Sequence, residues 1–534
     1  MEQESPASVA YVNARIYTLD HNRSWADAML VTDRTIVRLG AADDILREAG
    51  ASARVVDLGG RMVMPGIHDA HTHLLLAGLQ FRHECKLPPN ASPEQILDTL
   101  CECSKCQGGK LSNWIVAGQY NPFMFDRATP DRNFLDDAYP DRPVYLYEMT
   151  LHHALVNKRA LELAGIDRNT PDPRGGKIIR DPVTGEPTGE LIETAKRPVQ
   201  RILPQPGTDV CLDAVRWAVA MSNRYGITSL QEAGATLAEL EVLNMLDRAG
   251  ELNAHVATHI IWKEEGFGGA SDEDLEALIT AHGHYASVHV RTHFVKCWLD
   301  GAPLPPHPTE CRLDPETDLP NEDMLIISED ELTEGLVKFD KRQLSVKIHC
   351  AADGSVRAAL NAIERVRAIN GFYGPRHDIA HALFVSPKDV ERFARLNASA
   401  EMSPAVWHYR TPEYEVLNTG CKFASLERAG AEVTIGTDWA LTETPNLFPA
   451  LQGMLDRGEE SVTLDAALRM MTIAGARAVG IDKTTGSLEV GKSADFIVLD
   501  RNLFEIPVEQ VGSTEVVATF FEGREVYRSD AMPA

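Results

Sequence analysis

The side chains best suited to chemistry are histidines and one aspartate at the ends of short apolar runs. In VMPGIHDAHTHLLLAG, His71 and His73 stand two residues apart. On a β-strand, positions i and i+2 share a face, so both imidazoles would point to one place. Imidazole is the commonest protein ligand for a divalent metal, and a matched pair at a strand end is an efficient start to a metal site. A bare pair of this kind has a plainer reading too, as rings hydrogen-bonded at a strand edge, and the nearby His68 reads as a surface residue. Three further segments change the weighing. SVKIHC carries His349, DIAHAL carries His381 and TIGTDWA carries Asp438, each closing a strand candidate before a turn or helix signal. Four histidines and an aspartate brought together would be costly to bury unless a cation shared them.

Lys296, in HVRTHFVKCWLDG, lies near the end of another apolar strand candidate, between Val295 and Cys297. Lysines almost never bury without a partner. The simpler account is an ion pair with Asp300; the chemical account is a carbamate formed with CO₂, which turns the cation into a bidentate oxygen ligand able to bridge two metal ions. Glu232, in SLQEAG, reads as a satisfied strand-end carboxylate rather than a ligand.

Such residues need a frame that brings them together. Between about 67 and 484, apolar strand candidates alternate with helical periods, as in LSVKIHCAADG followed by VRAALNAIERVRAIN. Strand–helix repetition implies a parallel sheet, and enough repeats imply a closed (β/α)₈ barrel, whose strands present their C-terminal ends at one mouth. The intervals of 32 and 57 residues, from His349 to His381 and from His381 to Asp438, suit about one and two such units. The 418 residues of this middle exceed the ~250 of an ordinary barrel, so an insertion is expected, placed at about 78–210. Residues 1–66 and 485–534 share a texture of short strands and Asp, Asn and Gly turns, which predicts one β-sandwich domain built from both chain ends. The fold class is therefore α/β, a TIM-like barrel with a large insertion plus that sandwich.

The 534 residues carry 52 basic and 78 acidic side chains, a formal charge of −26, with 44% hydrophobic and 24% charged residues. That composition is globular. The negative field disfavours nucleic acid and anionic lipid as partners, and no apolar run approaches the ~18 residues of a membrane span, so a small-molecule substrate and a cytoplasmic location are expected. The exposed insertion offers a surface for a homodimer. Nine cysteines without regular spacing read as free thiols. Among them Cys101, Cys103 and Cys106 lie on a predicted helix running from a Ser92 cap to Gly108 and Gly109, a simpler reading than a zinc site lacking its fourth ligand.

The ordered set PGIHDAHTHL, FVKCWLDG, VKIHCAADG, RHDIAHAL and TIGTDW resembles the amidohydrolase superfamily, specifically its amidohydrolase-3 (YtcJ-like) group, which includes N-substituted formamide deformylases. The resemblance runs nearly end to end, through HHALVNKRALELAGI, GEPTGELIETA and GITSLQEAG to TIAGARAVGIDKTTGSLEVGKSADFIVLD. It implies a metal-dependent hydrolase of carbon–nitrogen bonds other than peptide bonds. His71 and His73 match the first-strand ligands, His349 and His381 those of the fifth and sixth strands, and Asp438 the eighth-strand aspartate. Lys296 falls where the group carries a carbamylated lysine, which implies a binuclear centre over a mononuclear one. The cofactor implied is a divalent ion, zinc first, that lowers the pKa of a bound water toward ~7, with Asp438 as metal ligand and general base. The chain departs from the group after His349, with Cys350, Ala351 and Ala352 before Asp353 where a glycine usually precedes that aspartate.

His152 and His153, in the insertion, are candidate substrate contacts, with a structural role as the plainer alternative. Trp439 and Trp407 are candidates for an apolar wall, against core or loop packing. Two other functions compete. A mononuclear deaminase usually carries a glutamate three residues after the fifth-strand histidine, where Ala352 stands here. A non-catalytic barrel would keep the metal for stability alone.

Overall fold

The computed structural model describes residues 8–103, 113–264, 266–404, 417 and 419–532. Its centre is a barrel of eight parallel strands: β1 (Ile67–Thr72), β2 (Ile227–Ala235), β3 (His255–Ile261), β4 (Val290–Trp298), β5 (Ser345–Cys350), β6 (His377–His381), β7 (Ala398–Met402) and β8 (Glu432–Ile435). Each pairs with the next in parallel register, from Ile67 opposite Ile227 to Met402 opposite Ile435. The ring closes between β8 and β1. There Thr72 bridges to Trp439, Asp438 N–H donates to His71 O at 2.7 Å, and His73 N–H donates to Trp439 O at 3.0 Å. All nine residues of β2 are buried, as expected of a strand covered by helices on one face and packed in a barrel on the other.

The connecting helices carry their own start signals. Helix Glu329–Lys341 begins at Ser328, whose hydroxyl accepts from Glu331 N–H at 3.3 Å while the Glu331 carboxylate accepts from Ser328 N–H at 3.2 Å. Such a cap stabilises a helix by ~1 kcal/mol. Leu332, Leu336 and Phe339 line the buried face at helical spacing, and acids crowd the first turn while lysines occupy the last, matching the helix dipole.

Two smaller sheets unite the chain ends. One has the order 35–40, 28–32, 8–12, 54–57, and the other 524–528, 516–521, 496–499, 62–65, 15–17, 25–26. Val63 lies opposite Val498 in the second, so the two ends of the chain are neighbours in one sheet. Tyr11 from the first sheet meets Phe496 edge-on with ring centres 4.9 Å apart, and Phe496 stacks on Phe520 at 4.3 Å, which makes the sheets share a core.

A third sheet, ordered 176–180, 187–193, 153–156, 144–148, 115–120, 85–86, stands over the mouth of the barrel. In sequence, DPVTGEPTGELIETA within this region reads as a hairpin. That hairpin is present, its turn held by the Asp181 carboxylate accepting from Val183 N–H and Thr184 N–H at 3.0 and 2.7 Å. The strands beside it were illegible because each is short and completed by partners far away in sequence. The helix after Ser92 spans Pro93–Glu102, with Cys101 exposed in its last turn and Cys103 just past it. The predicted continuation toward Gly108, with Cys106, lies outside the described residues. Among the described residues, no helix is long and apolar enough to cross a membrane.

Candidate functional site

β1, β4, β5, β6 and the turn after β8 deliver their side chains to one cavity of about 310 Å³ at the C-terminal end of the barrel, lined by His71, His73, Lys296, His349, His381 and Asp438. His71 Nε2 and His73 Nε2 approach Asp438 Oδ1 at 3.7 and 3.5 Å, and His381 Nδ1 approaches Asp438 Oδ2 at 3.8 Å. These separations are long for direct hydrogen bonds. Donor atoms ~2.0–2.1 Å from a shared tetrahedral zinc lie roughly 3.3–3.4 Å apart, so the set fits an ion better than it fits itself. Among the described residues, the groups whose donor atoms gather within 4.8 Å are His71, His73, Asp438 and His71, His381, Glu401. His349 continues the row, its ring centre 4.5 Å from that of His381; its buried Nε2 makes no hydrogen bond among the described residues and lies 3.8 Å from Asp300 Oδ1.

Electrostatics suit the same role. Burial, with the Lys296 ammonium close by, holds His71 well below the ordinary histidine value, and burial does the same for His349 and His381. These rings are neutral and offer lone pairs. Burial also opposes ionisation of Asp438, but His73 and the neighbouring cations outweigh it and hold the carboxyl below its usual range. His73 is pushed the other way: against burial, Asp438 and Glu232 raise it to about 9. Two of the proposed ligand positions, His381 (φ 67°) and Asp438 (φ 50°), lie in the left-handed region. Such strain persists in non-glycine residues only where the surroundings impose it, and it clusters at functional sites.

Lys296 is buried and makes no ion pair among the described residues; its Nζ lies 3.5 Å from His71 Nε2. The expected partner, Asp300, is otherwise engaged, accepting from Ala351 N–H, Ala352 N–H, Cys311 N–H and the Ser355 hydroxyl. Burial, with Lys347 nearby, lowers the Lys296 amine from its ordinary value.

A profile of the Amidohydrolase family matches residues 54–527. The chain belongs to the amidohydrolase family. Over its full length this amidohydrolase is 27% identical to the protein LONG AFTER FAR-RED 3 of Arabidopsis thaliana, covering 98% of this chain and 92% of that one. It is 26% identical to an N-substituted formamide deformylase of Arthrobacter pascens, covering 96% and 97%. An uncharacterized metal-dependent hydrolase from Pyrococcus horikoshii OT3 shares the fold with a TM-score of 0.71 at 22% identity, covering 95% of this chain and all of that one.

The other residues singled out in the amidohydrolase sequence part company. His152 lines the cavity, its ring centre 5.0 Å from that of His349. His153 is buried, its Nε2 3.8 Å from Glu193 Oε1 and its ring centre 6.3 Å from that of His307, and it does not line the cavity. Trp439 is fully buried and stacks with Phe81 and Trp217 at 6.1 and 5.7 Å, so it belongs to the core and supplies no wall to the cavity. Trp407 lies outside the described residues. His68 is not at the surface: it is fully buried, bonded to Ser229 and Gln231 at 2.8 and 3.1 Å. Glu232 is a satisfied strand-end carboxylate, accepting from Leu74 N–H at 2.7 Å and Gly234 N–H at 3.2 Å, and it also stands 3.7 Å from His73 Nδ1.

Two carboxylates of the amidohydrolase site escaped the sequence reading. Glu401, on β7, takes the hydrogen bond of His71 Nδ1 at 2.5 Å, and Glu193 holds His152 Nδ1 at 2.9 and 3.0 Å. The only signal for Glu401 is an acid inside the apolar strand ASAEM, and for Glu193 an acid ending a strand whose residues are all buried.

Proposed function

We propose that this amidohydrolase is a metal-dependent hydrolase that cleaves a carbon–nitrogen bond of a small amide, an N-substituted formamide or a cyclic amide. The observation that carries the reading is the convergence of His71 Nε2 and His73 Nε2 on Asp438 Oδ1, beside a buried lysine that makes no ion pair among the described residues. His71, His73, His349, His381 and Asp438 would hold one or two divalent ions, zinc first. When bound, such an ion polarises a carbonyl and brings the pKa of a water toward ~7. The relatedness to an N-substituted formamide deformylase supports an amide-type substrate.

The chain's own residues have separable tasks. Glu401 accepts the Nδ1 proton of His71 and so leaves Nε2 as the liganding atom, the arrangement that orients metal-bound histidines generally. Asp438, ionised and beside the row of rings, takes the proton of the attacking water on a carboxylate oxygen and returns it to the departing nitrogen. Lys296, its amine made less basic by burial, is suited to attack CO₂: a nitrogen–carbon bond forms, one proton leaves the neutral amine to solvent, and the resulting carbamate would join the residues that hold the metal. The largely apolar cavity admits a small molecule with a bulky nonpolar substituent.

The test joins metal analysis to turnover. Purified protein is expected to contain a divalent metal and to hydrolyse members of a panel of formamides, acyl amides and cyclic amides. Asp438→Asn should retain metal while kcat falls by about 10²–10⁴. A metal-replete wild type that hydrolyses nothing in the panel, or an Asp438→Asn variant with near-normal kcat, overturns the reading.

A further inference from the structure

We propose that Lys347 is a positioning residue of the metal site, which clamps the peptide unit and the carboxylate that together set His71. This rests on the reading of the site as a metal centre and adds to it a side chain that never touches the ion.

The first observation is place. Lys347 lies on β5 two residues before His349, so both side chains face the barrel interior and Lys347 sits one layer below the mouth. It is fully buried and does not line the cavity. Its neighbours in register are Lys296 on β4 and Asp378 on β6, the latter three residues before His381. Lys347 therefore stands beneath the proposed ligand set, with a strand that contributes to that set on either side.

The second observation is what the ammonium holds. Lys347 Nζ donates to Ala70 O at 3.0 Å, pairs with Asp378 Oδ2, and lies 3.9 Å from Glu401 Oε2. Ala70 O belongs to the peptide unit that ends in His71 N–H, and that N–H donates to Asp69 Oδ1 at 3.1 Å. Side chains thus reach both polar atoms of the unit. They do so where the strand ladder is irregular: Asp69 lies opposite Leu230 and Thr72 opposite Glu232, so three steps on β1 face two on β2. Glu401 Oε2 is also the oxygen bonded to His71 Nδ1. One ammonium therefore reaches His71 twice, through its backbone and through the carboxylate behind its ring. The supports are themselves fixed. Ser399 donates its hydroxyl to Asp378 Oδ1 at 2.7 Å, and Thr437 donates its N–H and hydroxyl to Asp69 at 2.9 and 2.6 Å.

The energetic logic favours positioning over stability. Replacing a buried ion pair by apolar groups of similar volume is often neutral or stabilising, because desolvation consumes the attraction. What an apolar pair does not do is hold a carbonyl and a carboxylate in set places, and a metal site needs its ligands closely set.

The test replaces the ion pair in the whole chain and reads zinc affinity, by competition with a chelator of known affinity, beside the Tm of the metal-free protein. One double variant, Lys347→Met with Asp378→Leu, is apolar; the other, Lys347→Gln with Asp378→Asn, is neutral but keeps hydrogen-bonding groups. Without metal, both are expected to unfold within about 5 °C of wild type. Zinc affinity should fall by about 100-fold in the apolar pair and about tenfold in the neutral pair. A merely structural ion pair would lower Tm and spare the affinity. Either folded variant with wild-type affinity overturns the role of Lys347 and leaves the metal centre standing. Failure of both variants to fold overturns it too, by assigning the ion pair to the fold. A wild type that binds no divalent metal overturns the metal-dependent reading and the role of Lys347 together.

Discussion

The proton on one nitrogen of His71 organises the site. With Nδ1 committed to Glu401 at 2.5 Å, Nε2 is the atom that faces Lys296 and Asp438. Glu401 is fully buried, and burial raises its carboxyl above the usual value. The same carboxylate accepts from the Ser403 hydroxyl at 3.0 Å and stands 3.9 Å from the Lys347 ammonium. Glu401→Gln exchanges the carboxyl partner of Nδ1 for an amide that can also turn its N–H₂ toward the ring. Metal affinity is expected to fall by about 10–100-fold, read by competition with a chelator of known affinity. Unchanged affinity would mean that His71 finds its orientation elsewhere. The histidines that line the cavity were legible in sequence because their type is rare and their place at strand ends is informative. Glu401 and Glu193 were not, because a carboxylate announces a partner only when the partner is in view.

At the scale of elements, the decisive junction is the seam between β8 and β1. Gly436 is needed there for close approach and not for its torsion angles: a Cβ would lie 2.5 Å from both the backbone nitrogen and the Cβ of His71. Gly436→Ala therefore forces the seam apart beside two proposed ligands. Urea unfolding should show a loss of about 1–3 kcal/mol, the usual cost of overpacking a filled site, together with a lower metal content. A variant of wild-type stability and metal content would show that the seam is softer than it looks. The same seam explains Trp439. Its neighbour Asp438 turns into the cavity, while the indole turns outward between Phe81 and Trp217 beneath the covering helices. Adjacent residues with opposite fates are normal where a strand ends in a tight turn, and sequence proximity to a cavity-lining residue is no guide to direction.

For the whole molecule, His289 ties the barrel to the sheets of the chain ends. Its Nδ1 bonds to Asp247, at the end of a barrel helix, at 2.6 Å, and its Nε2 to Glu522, in a turn of the C-terminal sheet, at 3.1 Å. Burial disfavours the charged ring, but the two carboxylates prevail and raise its pKa above 6.5. A ring that binds its proton more tightly folded than unfolded stabilises fully below 6.5 and loses that contribution as pH climbs through the raised value. The Tm advantage of wild type over His289→Gln should therefore be largest near pH 6 and shrink toward pH 9, in thermal scans of both proteins across that range. A difference independent of pH would assign the contact to packing alone.

Residue type, order and spacing determined the barrel, the joining of the chain ends in flanking sheets and the side chains that meet at the barrel mouth, because strand–helix alternation and strand-end histidines are local signals that survive in one dimension. The tertiary structure alone decided which nitrogen of His71 meets Glu401, that Lys296 lacks the ion pair with Asp300, that His152 lines the cavity while His153 does not, and that Glu193 and Glu401 stand behind two of the histidines. Those facts are distances between groups as far as 330 positions apart, as for His71 and Glu401, and no local pattern encodes them. They follow from the ring closing and from the insertion sheet folding over its mouth.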